Sequence, residues 1–249
     1  MDLSERCVLV TGGAHRVGKA IALTLAKMGA AQIVFTFNSS QDAAEKTTQE
    51  ISSLGCEVLA IRCDQSDIQQ IDAAIDLINQ KFGRLDVLVN SASILSEAEF
   101  FAVTPETWDQ AMNVNARGPF FFMQKAARLM LAGDGGLIIN IIDESVVKPA
   151  LNWVHHGASK AALWNITRTA SLALAPKIRV NAILPGAVLK PPNYSDEQWE
   201  HLVDNIPLRK SGSPEDVCQA VAYLINADFV TGQMIVVDGG ATVILGEKI

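Results

Sequence analysis

Short apolar segments rich in Val, Ile and Leu alternate along the chain with longer segments whose apolar residues recur at helical spacing. The short segments predict strands, and their nearly continuous apolar character is typical of parallel strands covered on both faces. The predicted strands are 7–10, 32–37, 57–64, 85–90, 136–142, 178–184 and 234–240. The predicted helices are 17–29, 41–54, 67–82, 105–131, 157–175 and 214–226. This alternation predicts a single-domain α/β fold: a Rossmann-like, doubly wound sheet of seven parallel strands with helices on both faces.

Glycine and proline positions mark the ends of several predicted helices. Gly29, Gly55 and Gly83 close the first three predicted helices, where a glycine commonly provides the left-handed stop. Pro105 and Pro214 stand at the beginning of two others, where a missing N–H costs no hydrogen bond. These signals support the predicted boundaries.

One long segment, residues 186–212, has no clear periodicity. It follows the sixth predicted strand, and open α/β sheets bind ligands at the carboxyl ends of their strands. We therefore predict that 186–212 forms a lid over the site. The alternative is a plain surface connection.

Composition narrows the choice of partners. The chain has 249 residues, 49% of them apolar, and a net charge of -7 without a Lys/Arg cluster. This balance argues against a nucleic-acid or anionic-membrane surface, so we expect a small-molecule substrate or a second copy of the chain as partner. No apolar run reaches about 18 residues, and no signal-peptide pattern precedes the first strand, so we expect a soluble, cytoplasmic protein.

The four cysteines show neither a CxxC pair nor neighbouring histidine ligands. We therefore expect no metal site, and interpret the cysteines as buried, reduced thiols.

The first predicted strand ends in the glycine-rich stretch TGGAHRVGKAIA, residues 11–22. A turn of this kind that opens directly into a helix directs backbone N–H groups and the positive helix end at one point, which favours a bound phosphate. The alternative is a tight turn without a ligand. The candidate cofactor-binding residues in this turn are Gly12, His15, Arg16, Val17 and Gly18.

The end of the second predicted strand distinguishes between two dinucleotides. NAD sites usually place an acidic residue there to accept from the ribose 2′-OH. Residues 36–40 contain no acid and end in Asn38, Ser39 and Ser40. With Arg16 nearby in the turn, a 2′-phosphate would meet donors and positive charge, so we predict NADP(H) rather than NAD(H). The alternative is that Arg16 is only a solvated surface charge.

Six motifs in order resemble those of the short-chain dehydrogenase/reductase family, and the resemblance covers nearly the whole chain. They are the TGxxx(G/R)xG turn at Thr11–Gly18, Asp64, the NAG-like stretch Asn90-Ser91-Ala92-Ser93, Asn115, Pro185-Gly186 and Asp238–Gly240. The resemblance implies a dinucleotide cofactor and a homotetramer or homodimer.

The resemblance also assigns roles to single residues. It makes Asp64 an adenine contact, Asn90 and Ala92 neighbours of the adenosine ribose, Lys160 a ligand of the nicotinamide ribose, and Asn115 the holder of a proton-relay water. The remaining candidate cofactor-binding residues are Gln65, Ser91, Pro185 and Gly186.

Two further positions resemble the pteridine reductase and dihydromonapterin reductase branch of that family. Arg16 stands where most members have a glycine, and Asp143 stands where most carry the catalytic serine. The resemblance implies NADPH-dependent reduction of a pterin-like substrate, such as a dihydropteridine or dihydrofolate, or of another small C=N or C=O compound. Pterin-reducing relatives usually have an aromatic residue where this chain has Ile94-Leu95. A sugar, lipid or steroid carbonyl therefore stays an alternative substrate.

The catalytic tyrosine of the family's YxxxK element corresponds to His156, four residues before Lys160. An imidazole can donate a proton as a phenol does, so we expect His156 to be the donor, supported by Asp143 and Asn115. Lys160 would oppose a charged imidazole and Asp143 would favour it, and the sequence leaves that balance open.

Three alternatives remain for this region. The histidine could mark a catalytically silent NADP(H)-binding protein that acts as a partner or sensor. Tyr194, in the predicted lid, could supply a phenol instead. His155 points off the helix at about 100° from its neighbour, so we expect a surface or lid contact there.

Overall fold

One parallel sheet forms the centre of the molecule. The computed structural model describes residues 1–191 and 194–243. Its seven strands follow the order β3-β2-β1-β4-β5-β6-β7. They are β1 (Cys7–Thr11), β2 (Gln32–Phe37), β3 (Glu57–Arg62), β4 (Val87–Asn90), β5 (Gly136–Ile141), β6 (Ile178–Pro185) and β7 (Met234–Val237). The predicted seven-stranded, doubly wound sheet is confirmed.

Helices cover both faces of the sheet. They are α1 (Arg16–Lys27), α2 (Gln41–Ser52), α3 (Ile68–Phe82), α4 (Pro105–Met112), α5 (Gly118–Ala132), α6 (Val154–Ala173), α7 (Asp196–Asp204) and α8 (Pro214–Asn226). Apolar residues of α1, α2 and α8 pack with one face of the strands, and those of α3, α5 and α6 pack with the other. The core is therefore two apolar layers separated by the sheet.

The strand order places the ligand crevice. β1 lies between β2 and β4, so the chain leaves β1 in one direction and returns to its other side, with Thr11 of β1 beside Asn90 of β4. At such a reversal the connections diverge above the carboxyl ends of the strands and leave a crevice. All the loops that carry the sequence motifs leave the sheet at this carboxyl edge.

The predicted helix 105–131 is wrong as one element. It is divided into α4 and α5 by a single wider helical turn at Asn113–Arg117. Pro119 lies in the first turn of α5 and has no N–H, so it cannot continue the regular hydrogen-bond ladder back to Asn115. The wider turn resolves this mismatch, and it buries the side chain of Asn115 against the loop after β4.

Two other boundaries differ from the sequence interpretation. α6 begins at Val154 rather than 157, so His155 and His156 belong to its first turn. The predicted lid, 186–212, contains the helix α7, and residues 192–193 of the segment lie outside the described residues. α7 forms because Ser195 and Gln198 make reciprocal capping bonds at its start.

The amino edge of the sheet is held by a buried carboxylate. Asp86, 3% exposed, accepts from Arg6 Nη1 at 2.9 Å, Arg84 Nη2 at 2.7 Å and the Cys7 backbone N–H at 2.9 Å. Burial raises the pKa of this carboxyl, but the bonds from Arg84, Cys7 and Arg6 outweigh burial and hold the pKa below its usual value. The cluster joins the starts of β1 and β4, opposite the crevice.

All four cysteines are buried with free thiols, as predicted. Within residues 1–191 and 194–243, no helix combines the length and apolar character needed to cross a membrane. The same part of the chain holds no cluster of three or more His, Cys, Asp or Glu side chains suited to a metal ion.

Candidate active site

A cavity of about 580 Å³ lies along the carboxyl edge of the sheet. It brings together most candidates from the sequence: Gly12, His15, Arg16, Val17, Gly18, Asn38, Ser39, Ser40, Asp64, Gln65, Ser91, Ala92, Asp143, His156, Lys160, Pro185 and Gly186. Two candidates, Asn90 and Asn115, do not line it. The cavity therefore unites the glycine turn, the end of β2 and the start of α6 in one site.

The sequence analysis missed part of the lining. The additional residues are Ala14, Thr36, Phe37, Cys63, Ser66, Ser93, Ile94, Leu95, Gln110, Val114, Ile141 and Ile142. Most of them follow the ends of strands, which is a signal that the sequence does carry. Gln110 lies in α4 and Val114 in the wide turn after it, so neither position carries such a signal.

Close backbone contacts explain the glycines of the first turn. A Cβ on Gly18 would lie 2.3 Å from the Gly12 carbonyl oxygen, and one on Gly12 would lie 2.8 Å from Ala92 Cα. Gly12 also has a left-handed φ of 67°, and Arg16 has one of 53°. Glycine adopts this φ without strain, which accounts for the usual glycine where this chain has Arg16.

The first turn of α1 is open to an anion. His15, at its N-cap, makes no side-chain capping bond, and the first turn contains no acidic residue. Its N–H groups and positive helix end therefore face the cavity without an internal counter-ion.

Asn90 does not line the cavity and takes part in a buried hydrogen-bond network between β4 and β5. Its Nδ2 donates to Asn140 Oδ1 at 2.8 Å, and Asn140 Nδ2 donates to Thr167 Oγ1 at 2.9 Å. Thr11 Oγ1 accepts from the backbone N–H groups of Ser91 and Ala92, each at 3.0 Å. These bonds fix the loop after β4 against β1, so that the backbone of residues 91–92 faces the cavity.

Asn115 is fully buried and fixes the loop beside His156. Its Oδ1 accepts from Ile94 N–H at 2.9 Å and from Ser93 Oγ at 3.0 Å. Its Nδ2 donates to the Ile94 carbonyl and to Ser159 Oγ, both at 3.1 Å. All the amide's principal bonds are made within the protein, and its orientation is fixed by the Ile94 N–H.

His156 lies at the inner wall of the cavity and is only 2% exposed. Its Nδ1 is 3.2 Å from the Ile94 carbonyl oxygen, and its Nε2 is 3.7 Å from Asp143 Oδ1. The Trp153 ring packs edge-on against the imidazole, with ring centroids 5.5 Å apart. The ring is therefore held with Nε2 towards Asp143 and Nδ1 towards the loop.

The structure resolves the electrostatic balance that the sequence left open. Burial and then the charge of Lys160 lower the pKa of His156 to about 4, against the opposing effect of Asp143. Burial lowers the pKa of Lys160 to about 8, and its Nζ donates to the Ile141 carbonyl at 3.0 Å. At neutral pH the imidazole is uncharged.

The expectation for His155 is wrong. Its side chain is completely buried rather than on the surface, and its Nε2 is 2.6 Å from Ser96 Oγ. Because α6 begins at Val154, His155 belongs to its first turn, and the loop after β4 covers the side chain there.

Tyr194 does not line the cavity but a separate depression beside Glu97. There burial, followed by the charges of Glu97 and Glu144, raises the pKa of its phenol.

Comparison with known proteins supports a family assignment. Residues 12–242 match a family model described as enoyl-(acyl carrier protein) reductase. The chain is 34% identical over 242 residues to the 3-oxoacyl-(acyl-carrier-protein) reductase FabG of Staphylococcus aureus strain Mu50, covering 94% of this chain and 97% of the relative. It is also 34% identical over 248 residues to the L-rhamnose-1-dehydrogenase of Scheffersomyces stipitis, covering 96% of each.

Solved structures agree with these relatives. A short-chain dehydrogenase/reductase from Serratia marcescens BCRC 10948 superposes with a TM-score of 0.92 at 32% identity, covering 97% of this chain and 100% of the other. A blue fluorescent protein from a metagenomic library, solved in complex with NADPH, gives 0.91 at 33% identity, with 97% and 99% covered. On these matches, the chain belongs to the short-chain dehydrogenase/reductase family of oxidoreductases.

Proposed function

We propose that this protein transfers hydride between NADP(H) and a small polar substrate with a C=O or C=N group or its reduced form. The observation that carries the proposal is the single cavity that joins the glycine turn and the end of β2 to His156, Lys160 and Asp143. A dinucleotide placed with its phosphates at the turn would extend towards these three side chains.

The residues at the adenosine end fit a 2′-phosphate. Asn38 and Ser39 are exposed, and no carboxylate occurs in 36–40. Ser40, at the N-cap of α2, makes no side-chain capping bond, so its hydroxyl is available to a ligand. Arg16 lies exposed at the same cavity. The NADPH-bound structural relative supports the same cofactor.

The first prediction concerns Arg16. We expect NADPH to bind more tightly than NADH, and Arg16→Gln to weaken NADPH binding at least about tenfold, since a charge-assisted hydrogen bond contributes roughly 1.5–3 kcal/mol. NADH affinity should stay unchanged, because NADH has no 2′-phosphate. The measurement is a titration of protein and cofactor fluorescence.

Lys177→Gln is the matched control, since it removes the same charge at the opposite, amino edge of the sheet, where the Lys177 carbonyl accepts from Gly136. Equal losses for NADPH and NADH in Arg16→Gln, or an equal loss in the control, would contradict recognition of the 2′-phosphate by Arg16.

Each residue of the catalytic region has a proposed role. The bound cofactor supplies or accepts the hydride. Lys160 holds the nicotinamide ribose, and Asp143 orients the substrate by accepting its N–H or O–H groups. His156 exchanges the proton, and Asn115 acts as a positioning residue through the loop at Ile94. Asp64 contacts the adenine end.

Our leading substrate is a pterin-like nitrogen heterocycle. The Asp143 carboxylate faces the cavity and can accept from the amino and ring N–H groups of such a compound. A sugar is the second candidate, because a relative with 34% identity is an L-rhamnose-1-dehydrogenase. The hydroxyl groups of a sugar would donate hydrogen bonds to the same Asp143 carboxylate.

A substrate panel decides between these candidates. NADPH oxidation is followed with dihydrobiopterin, dihydromonapterin and dihydrofolate, and NADP⁺ reduction with L-rhamnose. Turnover with a dihydropterin supports the leading substrate, whereas turnover with L-rhamnose alone supports the second. Cofactor binding without any turnover would indicate a catalytically silent nucleotide-binding protein that acts as a partner or sensor.

A further inference from the structure

The buried Nε2 of His156 has no hydrogen-bond partner among residues 1–191 and 194–243. His156 lies on the cavity wall, and Asp143 Oδ1 is 3.7 Å from this nitrogen. That oxygen already accepts from the Ser145 backbone N–H at 2.8 Å. A buried polar atom without a partner costs free energy, so the arrangement calls for a group supplied by a ligand.

The surroundings of the ring determine which nitrogen carries the proton. Nδ1 lies 3.2 Å from the Ile94 carbonyl oxygen, which can only accept, so this contact is a hydrogen bond only when Nδ1 carries a hydrogen. Asn115 Nδ2 is 3.4 Å from the same nitrogen, but both its hydrogens have nearer acceptors, Ile94 O and Ser159 Oγ. In the neutral ring the proton therefore sits on Nδ1, and Nε2 presents a lone pair.

The titratable groups that face the ring do not change this state at neutral pH. They are Lys160 and His155 on its own helix and Asp143 from the segment after β5. Burial and Lys160 together outweigh Asp143, which leaves the ring uncharged well above pH 4. Two acceptors, the Nε2 lone pair and the Asp143 carboxylate, thus stand side by side without a donor between them.

We propose that His156 Nε2 is a hydrogen-bond and proton acceptor, and that the site binds the hydroxyl or amino form of its substrate and oxidises it. A donor group placed between Nε2 and Asp143 satisfies both atoms, whereas a carbonyl oxygen in the same place would meet two lone pairs. This inference rests on the proposed function and determines the direction in which the site is preorganised.

The oxidation balances as follows. The carbinol C–H bond breaks and its electron pair passes as hydride to the oxidised nicotinamide ring. The O–H bond breaks, its proton goes to His156 Nε2, and the C=O bond forms. The imidazolium, held beside Lys160 in a buried site, then releases its proton to water through the open side of the cavity, which restores the neutral ring.

The tautomer is tested directly by nitrogen NMR. Protein labelled with ¹⁵N-histidine is examined without cofactor between pH 5 and 8, and His156→Asn assigns the His156 signals. We expect a protonated Nδ1 and an unprotonated Nε2 throughout. A protonated Nε2, either in the other tautomer or as imidazolium at pH 6 or above, overturns the inference whether or not the protein turns over any substrate.

The direction is tested with a matched pair that differs by two hydrogens, 1,2-propanediol with NADP⁺ and hydroxyacetone with NADPH. The reaction releases one proton, so the ratio of forward and reverse kcat/KM must change tenfold per pH unit. With an unprotonated resting Nε2, we expect kcat/KM for oxidation to stay flat between pH 6 and 8 and that for reduction to fall tenfold per unit. A flat reduction and a rising oxidation overturn the inference.

His156→Asn sharpens the assignment, because its amide keeps a donor for the Ile94 carbonyl and loses the acceptor at Nε2. We expect propanediol oxidation to fall at least about 100-fold with NADP⁺ affinity unchanged, as for loss of a general base. An oxidation rate equal to that of the natural protein would overturn the role of Nε2. Absence of turnover with this pair and with every compound of the substrate panel, with the tautomer as expected, would contradict the proposed function and leave the acceptor assignment standing.

Discussion

Lys160 shows at the residue scale how this site trades stability for function. The side chain is buried, and its Nζ donates to the Ile141 carbonyl. Burial disfavours the charged form, and although Asp143 opposes this effect, the pKa falls from 10.5 to about 8. Since the unfolded chain keeps the higher pKa, it binds more protons than the folded protein between pH 8 and 10.5. The stability of the protein should therefore rise with pH across this window.

Replacing this lysine tests that cost. Below pH 8 Lys160 is protonated in both the folded and the unfolded state. Burying the charged side chain then costs the folded state about 3 kcal/mol, as estimated from the shift in pKa. We expect Lys160→Met to be more stable than the natural protein at pH 7, and the difference to shrink by pH 10. Cofactor binding should weaken, because the variant loses the proposed ribose ligand.

The measurement is denaturant unfolding of both proteins without cofactor at pH 7 and pH 10. Lys177→Met serves as control, since Lys177 is exposed and its replacement should change stability little at either pH. A Lys160→Met protein that is less stable at pH 7, or a difference that grows with pH, would show that the lysine is not an energetic burden.

What the sequence could not supply at this scale is the state of a side chain rather than its identity. The spacing of His156 and Lys160 placed both on one helix face, and both line the cavity. The protonation of His156 depends on the Ile94 carbonyl, which is 62 residues away in sequence, and on the degree of burial. Neither is visible in a pattern of residue types.

At the scale of elements, α7 differs from the other helices of six residues or more that the structure describes. None of its residues is buried. Its position is set by the capping bonds of Ser195 and Gln198 and by an ion pair between Asp196 and Lys190. Its apolar residues Trp199, Leu202 and Val203 are only half-buried, and a helix that buries little apolar surface is marginally stable in water. This property suits a segment that we predicted to be a lid, because such elements belong to the least stable part of a fold.

We therefore expect Ser195→Ala to loosen α7 alone. Loss of an N-cap costs about 1 kcal/mol, which corresponds to roughly fivefold faster amide exchange in 196–204. The global unfolding midpoint should not move, since no residue of α7 is fully buried. Hydrogen exchange followed by mass spectrometry measures both the local and the global effect.

Thr104→Ala is the matched control, because Thr104 forms the same kind of capping bond at the start of α4, a helix that does bury Ala111. Its effect should be confined to 105–112. If Ser195→Ala lowers the global midpoint as well, α7 is part of the cooperative core and the lid proposal fails.

Elements marked by their own residues, such as apolar runs and turn residues, could be predicted from the sequence. Elements whose form depends on the packing of other segments around them could not. The seven strands and the prolines that begin α4 and α8 were read from short apolar runs and turn chemistry. The capping stretch Ser195–Gln198 was also present in the sequence and could have revealed α7. The wide turn at Asn113–Arg117 could be suspected from Pro119, but its position depends on the packing of α4 and α5 around it.

At the scale of the whole molecule, the two edges of the sheet have separate tasks. The carboxyl edge holds the cavity, an orphaned imidazole nitrogen and a buried lysine, all of which are unfavourable to the folded state. The amino edge holds Asp86 with three hydrogen-bonding partners in its buried cluster. The buried lysine and the imidazole nitrogen thus lie at one edge of the sheet and the satisfied Asp86 cluster lies at the other.

This division predicts that Asp86→Asn destabilises the protein without affecting the site. Breaking a fully buried ion pair costs about 3–5 kcal/mol, but Arg6 and Arg84 are partly exposed, so solvent screening reduces the cost to about 2–3 kcal/mol. In a chain of this length such a loss lowers the unfolding midpoint by roughly 5–10 °C. NADPH affinity at 20 °C should stay unchanged, because the carboxylate lies at the edge remote from the cavity.

The pH dependence gives this prediction a second readout. The folded pKa of Asp86 is below its usual value of 3.8, so its stabilisation is complete above that value and is lost as the pH falls through the folded pKa. The stability gap between the natural protein and Asp86→Asn should therefore be constant from pH 5 to 8 and should narrow below pH 4. Calorimetry measures the gap, and a cofactor titration on the same samples measures affinity. A variant that binds NADPH more weakly at a temperature where it is fully folded would show that the two edges are energetically coupled.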